Sequence, residues 1–257
     1  AASWDQTELR VEDVIKTGVP CLVEKPVALS SAKLAAIISG AGGLAANALA
    51  AYNRRFYDFV PYLKEAVDAG GLESIELNMP QSAEGLVKKY SPAIAGHILV
   101  YMSSHWLDLL RYLAGEVRVE YMHRGGAGGA HKSYNGILYS TRHDAPVHLQ
   151  ANFNAPSRTS ITFNFEDAIY RLCPAEELTV YKGMDCIESK DGAAVRRYVP
   201  RVLETLKTDA AYKPGFYGQM VNFIDTCVLK NRVNEAGCTL DEALAVTRLC
   251  EEIRGQA

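Results

Sequence analysis

The sequence predicts two fold classes in series. An α/β part with a short parallel sheet comes first. An α+β part follows, with an open, mostly antiparallel sheet covered by helices on one face. Three observations carry this reading. Residues 7–51 alternate helix and strand patterns in the β–α–β order of a parallel sheet. Beyond Gly115, short stretches alternate apolar and polar side chains, as half-buried antiparallel strands do. Two helix patterns then close the chain.

Each element has a local reason. Residues 7–17 read as a helix, with Leu9, Val14 and Ile15 near one face, Glu8 in the first turn and Gly18 as a stop. Residues 19–23 form a buried-type strand that runs into Glu24-Lys25-Pro26. Ser30 or Ser31 can cap a helix over 32–39, and 44–51 reads as a strand despite its alanines. Between them, Gly40-Ala41-Gly42-Gly43-Leu44-Ala45 matches a dinucleotide fingerprint. A true fingerprint follows a strand and opens a helix. Here a capped helix precedes it, which favours a plain helix-to-strand turn. Alanine-rich stretches are ambiguous, so composition leaves the phosphate-loop reading open.

Leu63, Ala66 and Val67 mark a helix over 58–69, and a strand follows over 74–79. Residues 81–96 are expected to be an irregular loop over a cleft, and 97–114 a long helix with Leu107, Leu109, Leu110 and Leu113 in the core. Strands are predicted at 117–123, 135–142, 147–154, 159–164, 168–173 and 177–182. The glycine-rich run 124–129 reads as a flexible connection. Helices are predicted at 215–230 and 240–254, the second begun by the capping pattern Thr239-Leu240-Asp241-Glu242.

Composition narrows the function classes. The 257 residues suffice for one large domain or two modest ones, and 48% apolar with 22% charged is ordinary for a globular protein. A net charge of −3 gives no reason to expect a nucleic-acid or anionic-membrane partner. No apolar run approaches the ~18 residues of a membrane span, and no signal peptide is visible. Cys21, Cys173, Cys186, Cys227, Cys238 and Cys250 include no CxxC pair, so free thiols in a reducing cytoplasm are expected, without a metal site.

A strand ending in Lys25 and Pro26 sets an ammonium group at the carboxyl edge of a sheet, where open α/β folds bind ligands. Downstream come Tyr52-Asn53-Arg54-Arg55-Phe56, then Ser104-His105-Trp106-Leu107-Asp108 on the long helix, then Gly215-Phe216-Tyr217-Gly218-Gln219-Met220 and Cys238 to Ala243. In this order and spacing the chain resembles, over nearly its whole length, the glucose–fructose oxidoreductase / inositol dehydrogenase / MocA (Gfo/Idh/MocA) family of NAD(P)-dependent oxidoreductases. The resemblance implies a partial Rossmann-type domain over residues 1–56. Residues 57–257 would then form a substrate-binding and oligomerisation domain. Family members open with a strand and a Gly-x-Gly-x-x-Gly turn, which this sequence is expected to lack. Residues 1–257 alone are accordingly expected to show no saturable NAD(H) or NADP(H) binding, the missing half lying in a longer native protein or in another chain.

The resemblance also assigns roles. Lys25 and His105 match the family's lysine and histidine, which serve as acid/base and alkoxide-stabilising groups. Burial and Arg54 are expected to lower the pKa of Lys25. Tyr101 stands where the family usually carries an aspartate, four residues before His105 and expected on the same helix face. As a neutral phenol it can donate to a substrate oxygen but cannot raise the histidine pKa. Cofactor contacts are expected from Trp4, Asp5, Glu24, Lys25, Pro26, Asn53 and Arg54, and substrate contacts from Lys25, Arg54, His97, Tyr101 and His105, with Lys88 and Lys89 near the cleft. On the residue alone, His105 reads more readily as a core histidine; the motif reverses that preference. Asp108 is expected to pair with Arg111 or Arg55, and Tyr52 to pack. His123, His131, His143 and His148 read as surface or sheet residues.

The function implied is hydride transfer between NAD or NADP and a hydroxyl or keto carbon of a sugar, polyol or sugar derivative. A redox-inactive sugar-binding or assembly subunit is the alternative, and biliverdin-reductase-like chemistry suits a polar cleft less well. A cytoplasmic homodimer or homotetramer, associating through the antiparallel sheet, is expected.

Overall fold

The computed structural model describes residues 4–90, 92–126, 133–188, 196–209, 211–231 and 233–255, with Trp4 and Asp5 described by their backbone alone. The expected connection over 127–129 and His131 lie outside the described residues.

The chain opens with α1 (Trp4–Lys16), whose Val11 and Ile15 are buried. Strand β1 (Cys21–Val23) follows, then α2 (Ser31–Ala41), with the Ser30 hydroxyl capping it by accepting from the Lys33 amide at 3.2 Å. The fingerprint-like glycines form the end of α2 and a 3₁₀ turn, Gly42–Asn47, which takes up the first half of the expected strand and leaves β2 as Ala48–Ala50. β1 and β2 pair in parallel, Leu22 opposite Leu49. A third strand joins from far along the chain: β11 (Cys238–Thr239) runs antiparallel to β2, Cys238 opposite Ala50. Two residues next to a helix cap give no periodic signal, so the sequence did not announce it.

After α3 (Val60–Asp68), the large sheet is laid down as β3 (Leu72–Asn78), β4 (Val117–Gly125), β5 (Ser133–Ser140), β6 (Ala145–Asn152), β7 (Ser160–Phe165), β8 (Ala168–Leu172), β9 (Glu177–Ile187) and β10 (Arg197–Lys207). Their spatial order is β10-β9-β8-β7-β3-β6-β5-β4, and only β3 and β6 run parallel. β10 was not expected. Pro200 interrupts its pattern and its side chains are almost all exposed, as befits an edge strand.

Two corrections concern the segment before the long helix. The expected loop over 81–96 contains α4 (Ala83–Lys89), capped by Ser82 on the Gly85 amide, and a 3₁₀ turn, Pro92–His97. α4 is only seven residues long and has no fully buried residue, so its few apolar positions, Ala83, Leu86 and Val87, gave no clear helical period. The expected helix over 97–114 begins instead with a π-turn, Leu99–Ser103, before α5 (Ser104–Ala114).

The core forms where α3 and α5 cover one face of the large sheet. Leu63, Val67, Leu107, Leu110 and Leu113 are fully buried, as are Ile75, Leu138, Val147, Ile161 and Phe163 from the strands. Each such side chain contributes on the order of 1.5–3 kcal/mol by leaving water. The opposite face bears Glu76, Asn78, Asn135, His148, Gln150 and Ser160 around a shallow hollow of about 440 Å³. The chain closes with α6 (Phe216–Phe223), a π-turn over Ile224–Val228, and α7 (Leu240–Arg254). Thr239 and Glu242 complete the expected capping box. Ser31 donates from both its amide and its hydroxyl to Glu251, which ties α7 to α2 and so joins the two sheets. Among the described residues no helix is long and apolar enough to cross a membrane.

Candidate active site

Lys25 leaves the end of β1, its bond to the buried Pro26 is cis, and its side chain is half-buried. Its ammonium group donates to the Tyr101 carbonyl and stands 4.8 Å from the centre of the Tyr101 ring. That carbonyl lies in the π-turn, where the Ser104 amide reaches back five residues to Leu99. Such widened turns recur at functional sites. Burial lowers the Lys25 pKa first, Arg54 and Lys213 add to the effect, exposed Glu24 opposes it, and the result is about 8.

His105 sits in the first turn of α5. The Tyr52 ring meets it edge-on, centroids 5.6 Å apart and planes at 89°, so Tyr52 packs as expected. Its Nδ1 is buried without a hydrogen-bond partner. Burial, followed by the charges of Lys25, Arg54 and Lys213, holds the imidazole well below its usual range, so it is neutral at pH 7. Arg54 lies flat over Trp106, its Cζ 4.1 Å from the ring centre, and its Nε is buried without a partner. Lys25, His105 and Arg54 are thus brought within one electrostatic neighbourhood.

Lys213 was missed. It lies in the loop before α6 and is exposed, its Nζ 4.4 Å from the centre of the Phe216 ring. The only sequence signal was the Pro214-Gly215 turn beside it. That loop is fixed to Asn53, whose Nδ2 donates to the Pro214 carbonyl at 2.9 Å. Gly215 has φ +76°, and a Cβ there would stand 2.1 Å from the Asn53 carbonyl oxygen. Only glycine permits this approach. Asn53, expected at the cofactor, is buried at 7% exposure and anchors this loop.

The other expected residues divide. Tyr101 faces Lys25, but its hydroxyl is tied to Tyr90, with rings 5.4 Å apart; burial and that hydrogen bond raise its pKa. That bond engages the hydroxyl expected to donate to substrate beside His105. His97, expected at the substrate, is under the charges of Arg254 and Glu8; burial first and then Arg254 lower its pKa, and Glu8 opposes them. The side chains of Trp4 and Asp5 lie outside the described residues.

Beneath the site, Arg55 points away from Arg54. It grips Asp108 through two bonds, Nη2 to Oδ1 at 2.6 Å and Nε to Oδ2 at 2.9 Å, and reaches Glu242 at 3.2 Å. Burial opposes both charges and raises the Asp108 pKa, while the fork geometry to Arg55 works against that rise. Of the two expected partners for Asp108, Arg55 is the one engaged. The clamp fixes the chain after β2 against α5 and α7, and so sets Arg54 and His105 side by side.

The residues fit the nicotinamide end of a dinucleotide in part. Lys25 at a strand edge and the unpartnered His105 Nδ1 suit a polar ring and a reacting oxygen. Among the described residues no strand–turn–helix glycine cradle faces a pyrophosphate, because Gly40, Gly42 and Gly43 end a helix.

No protein-family model matches the chain, and no curated protein matches it. Solved structures do. UDP-N-acetylglucosamine 3-dehydrogenase GnnA from Acidithiobacillus ferrooxidans is 15% identical with a TM-score of 0.69, the match covering 100% of this chain and 77% of that one. An oxidoreductase from Agrobacterium radiobacter, in complex with NAD+, L-tartaric acid and magnesium, is 14% identical with a TM-score of 0.70, covering 100% and 76%. A super-repressor mutant of Gal80p from Saccharomyces cerevisiae is 15% identical with a TM-score of 0.74, again covering 100% and 76%. The chain therefore has the fold of the Gfo/Idh/MocA oxidoreductases, which the sequence motifs led us to expect.

Proposed function

We propose that the chain is an oxidoreductase linked to NAD or NADP, acting on a hydroxyl or keto carbon of a sugar-like compound, with Lys25 and His105 at the reacting oxygen. The observation that carries this is the pair itself: a half-buried amine with its pKa lowered to about 8, and a half-buried neutral imidazole whose buried Nδ1 has no partner. A nicotinamide, when bound, supplies the hydride acceptor or donor. The chain's own residues manage the proton. A neutral imidazole has one nitrogen able to accept the hydroxyl proton. The Lys25 ammonium stabilises the negative oxygen as it develops, and in the reverse direction the imidazolium returns its proton to that oxygen while Lys25 stays protonated. On this reading residues 1–56 serve the cofactor side and 57–257 the substrate and assembly side.

The test is turnover of NAD+ and NADP+ against a panel of neutral, amino and nucleotide-linked sugars. Lys25→Met and His105→Ala should each lower kcat by about a hundredfold or more. Full turnover in either variant would remove the proposed role of that residue. A redox-inactive binding subunit is the second reading, favoured because a Gal80p super-repressor shares the fold. Saturable sugar binding with no nicotinamide turnover would select it.

A further inference from the structure

We propose that Lys213 and Arg54 form an oxyanion subsite beside Lys25 and His105, so that the substrate is a sugar derivative carrying a carboxylate or phosphate. This rests on the oxidoreductase reading for the identity of the reacting pair, but it makes a separate claim about the substrate. The observation is a group of three cations that no ion pair among the described residues neutralises, although Glu176 and Asp108 act on Arg54 from beyond contact. Lys25, Arg54 and Lys213 all act on His105, and Glu24 is the one carboxylate acting appreciably on Lys25. Among the described residues neither Arg54 nor Lys213 makes an ion pair. Arg55, one residue along, holds two carboxylates, so the fold had acidic partners available and directed them elsewhere.

The geometry is built, not incidental. Arg54 is held against Trp106, which leaves its buried Nε without a partner, and the buried His105 Nδ1 beside it is likewise unpartnered. Buried polar atoms of this kind are costly unless a ligand meets them, and of the two the Arg54 Nε is the donor an oxyanion can take. The Lys213 loop is fastened to the residue preceding Arg54 by the Asn53–Pro214 bond and by the Gly215 approach that no side chain could make. The exposed ammonium group is thereby held in the segment next to Arg54, where its charge acts on Lys25 and His105. Cations arranged in this way suit an oxyanion, which arginine can grip through two parallel bonds and lysine as a point charge.

The same chemistry could come from the substrate or from the phosphate of a nicotinamide nucleotide, and the probes separate the two. Binding of D-glucuronate, glucose 6-phosphate, neutral D-glucose and nicotinamide mononucleotide is measured by calorimetry on the full chain. Wild type, Lys213→Met and Lys213→Arg are compared. The two acidic sugars should bind wild type more tightly than glucose. Lys213→Met should weaken them by about tenfold, the scale of one charge-assisted bond, while leaving glucose unchanged, and Lys213→Arg should retain them. Equal binding of charged and neutral sugars overturns the subsite, as does a loss confined to nicotinamide mononucleotide. Since no turnover is read, failure of the oxidoreductase reading leaves this result intact, and turnover on neutral sugars alone would count against the subsite only.

Discussion

Replacing Lys25 with methionine should stabilise the folded chain at neutral pH, although the residue is proposed to be essential for turnover. The magnitude follows from its pKa. Folding moves it from 10.5 to about 8, mainly through burial. At about 1.4 kcal/mol per unit, keeping this ammonium charged in the fold costs roughly 3 kcal/mol. Methionine loses the bond to the Tyr101 carbonyl, a cost of about 1 kcal/mol. The variant should therefore gain about 2 kcal/mol at pH 7. The pH dependence gives a sharper signature. Because the folded pKa lies below the unfolded one, the penalty is complete below about pH 8 and fades between 8 and 10.5, where the unfolded chain binds more protons. Wild-type stability should climb relative to the variant across that window, and the order should reverse by its upper end. Urea unfolding of both proteins at pH 7, 9 and 10.5 reads this directly. A variant less stable than wild type at pH 7, or a difference that does not change with pH, would refute the argument that burial sets the Lys25 pKa. The expected outcome is a residue kept at the expense of stability, as functional groups often are.

Asp108→Asn should cost about 3–5 kcal/mol in urea unfolding, because it strips the buried Arg55 of its forked partner; a loss under 1 kcal/mol, the level of an exposed pair, would show the clamp to be unimportant. Gly215→Ala should destabilise by about 1–3 kcal/mol, since it combines a left-handed backbone with a steric clash. In calorimetry it should also abolish the preference for acidic sugars, and a fully wild-type Gly215→Ala protein would remove the loop-anchoring argument. Light scattering at micromolar concentration should report a dimer or tetramer, associating through the uncovered sheet face where Tyr121 and Ile137 are exposed; a monomer counts against that assembly.

Much of the site was legible because its signals are local. Lys25 follows a short apolar strand and precedes a proline, so its place at a sheet edge depends on neighbouring residues alone. The helix carrying His105, the caps at Ser30 and Thr239, and the alternation along β6 are likewise written in adjacent positions. Elements without a fully buried residue were hidden, namely the largely exposed edge strand β10 and the short helix α4.

By itself, then, the sequence determined the order of the elements with buried faces, the two sheet types and the residues able to supply a proton near a strand end. Tertiary structure alone decided that Asn53 anchors a loop, that Tyr101 binds Tyr90, that His97 comes under the charge of Arg254, and that Lys25 comes under that of Lys213. The physical reason is distance along the chain. Hydrophobic period and capping act within a few residues, whereas a bond spanning 161 residues, such as that from Asn53 to Pro214, exists only once the chain has folded back on itself.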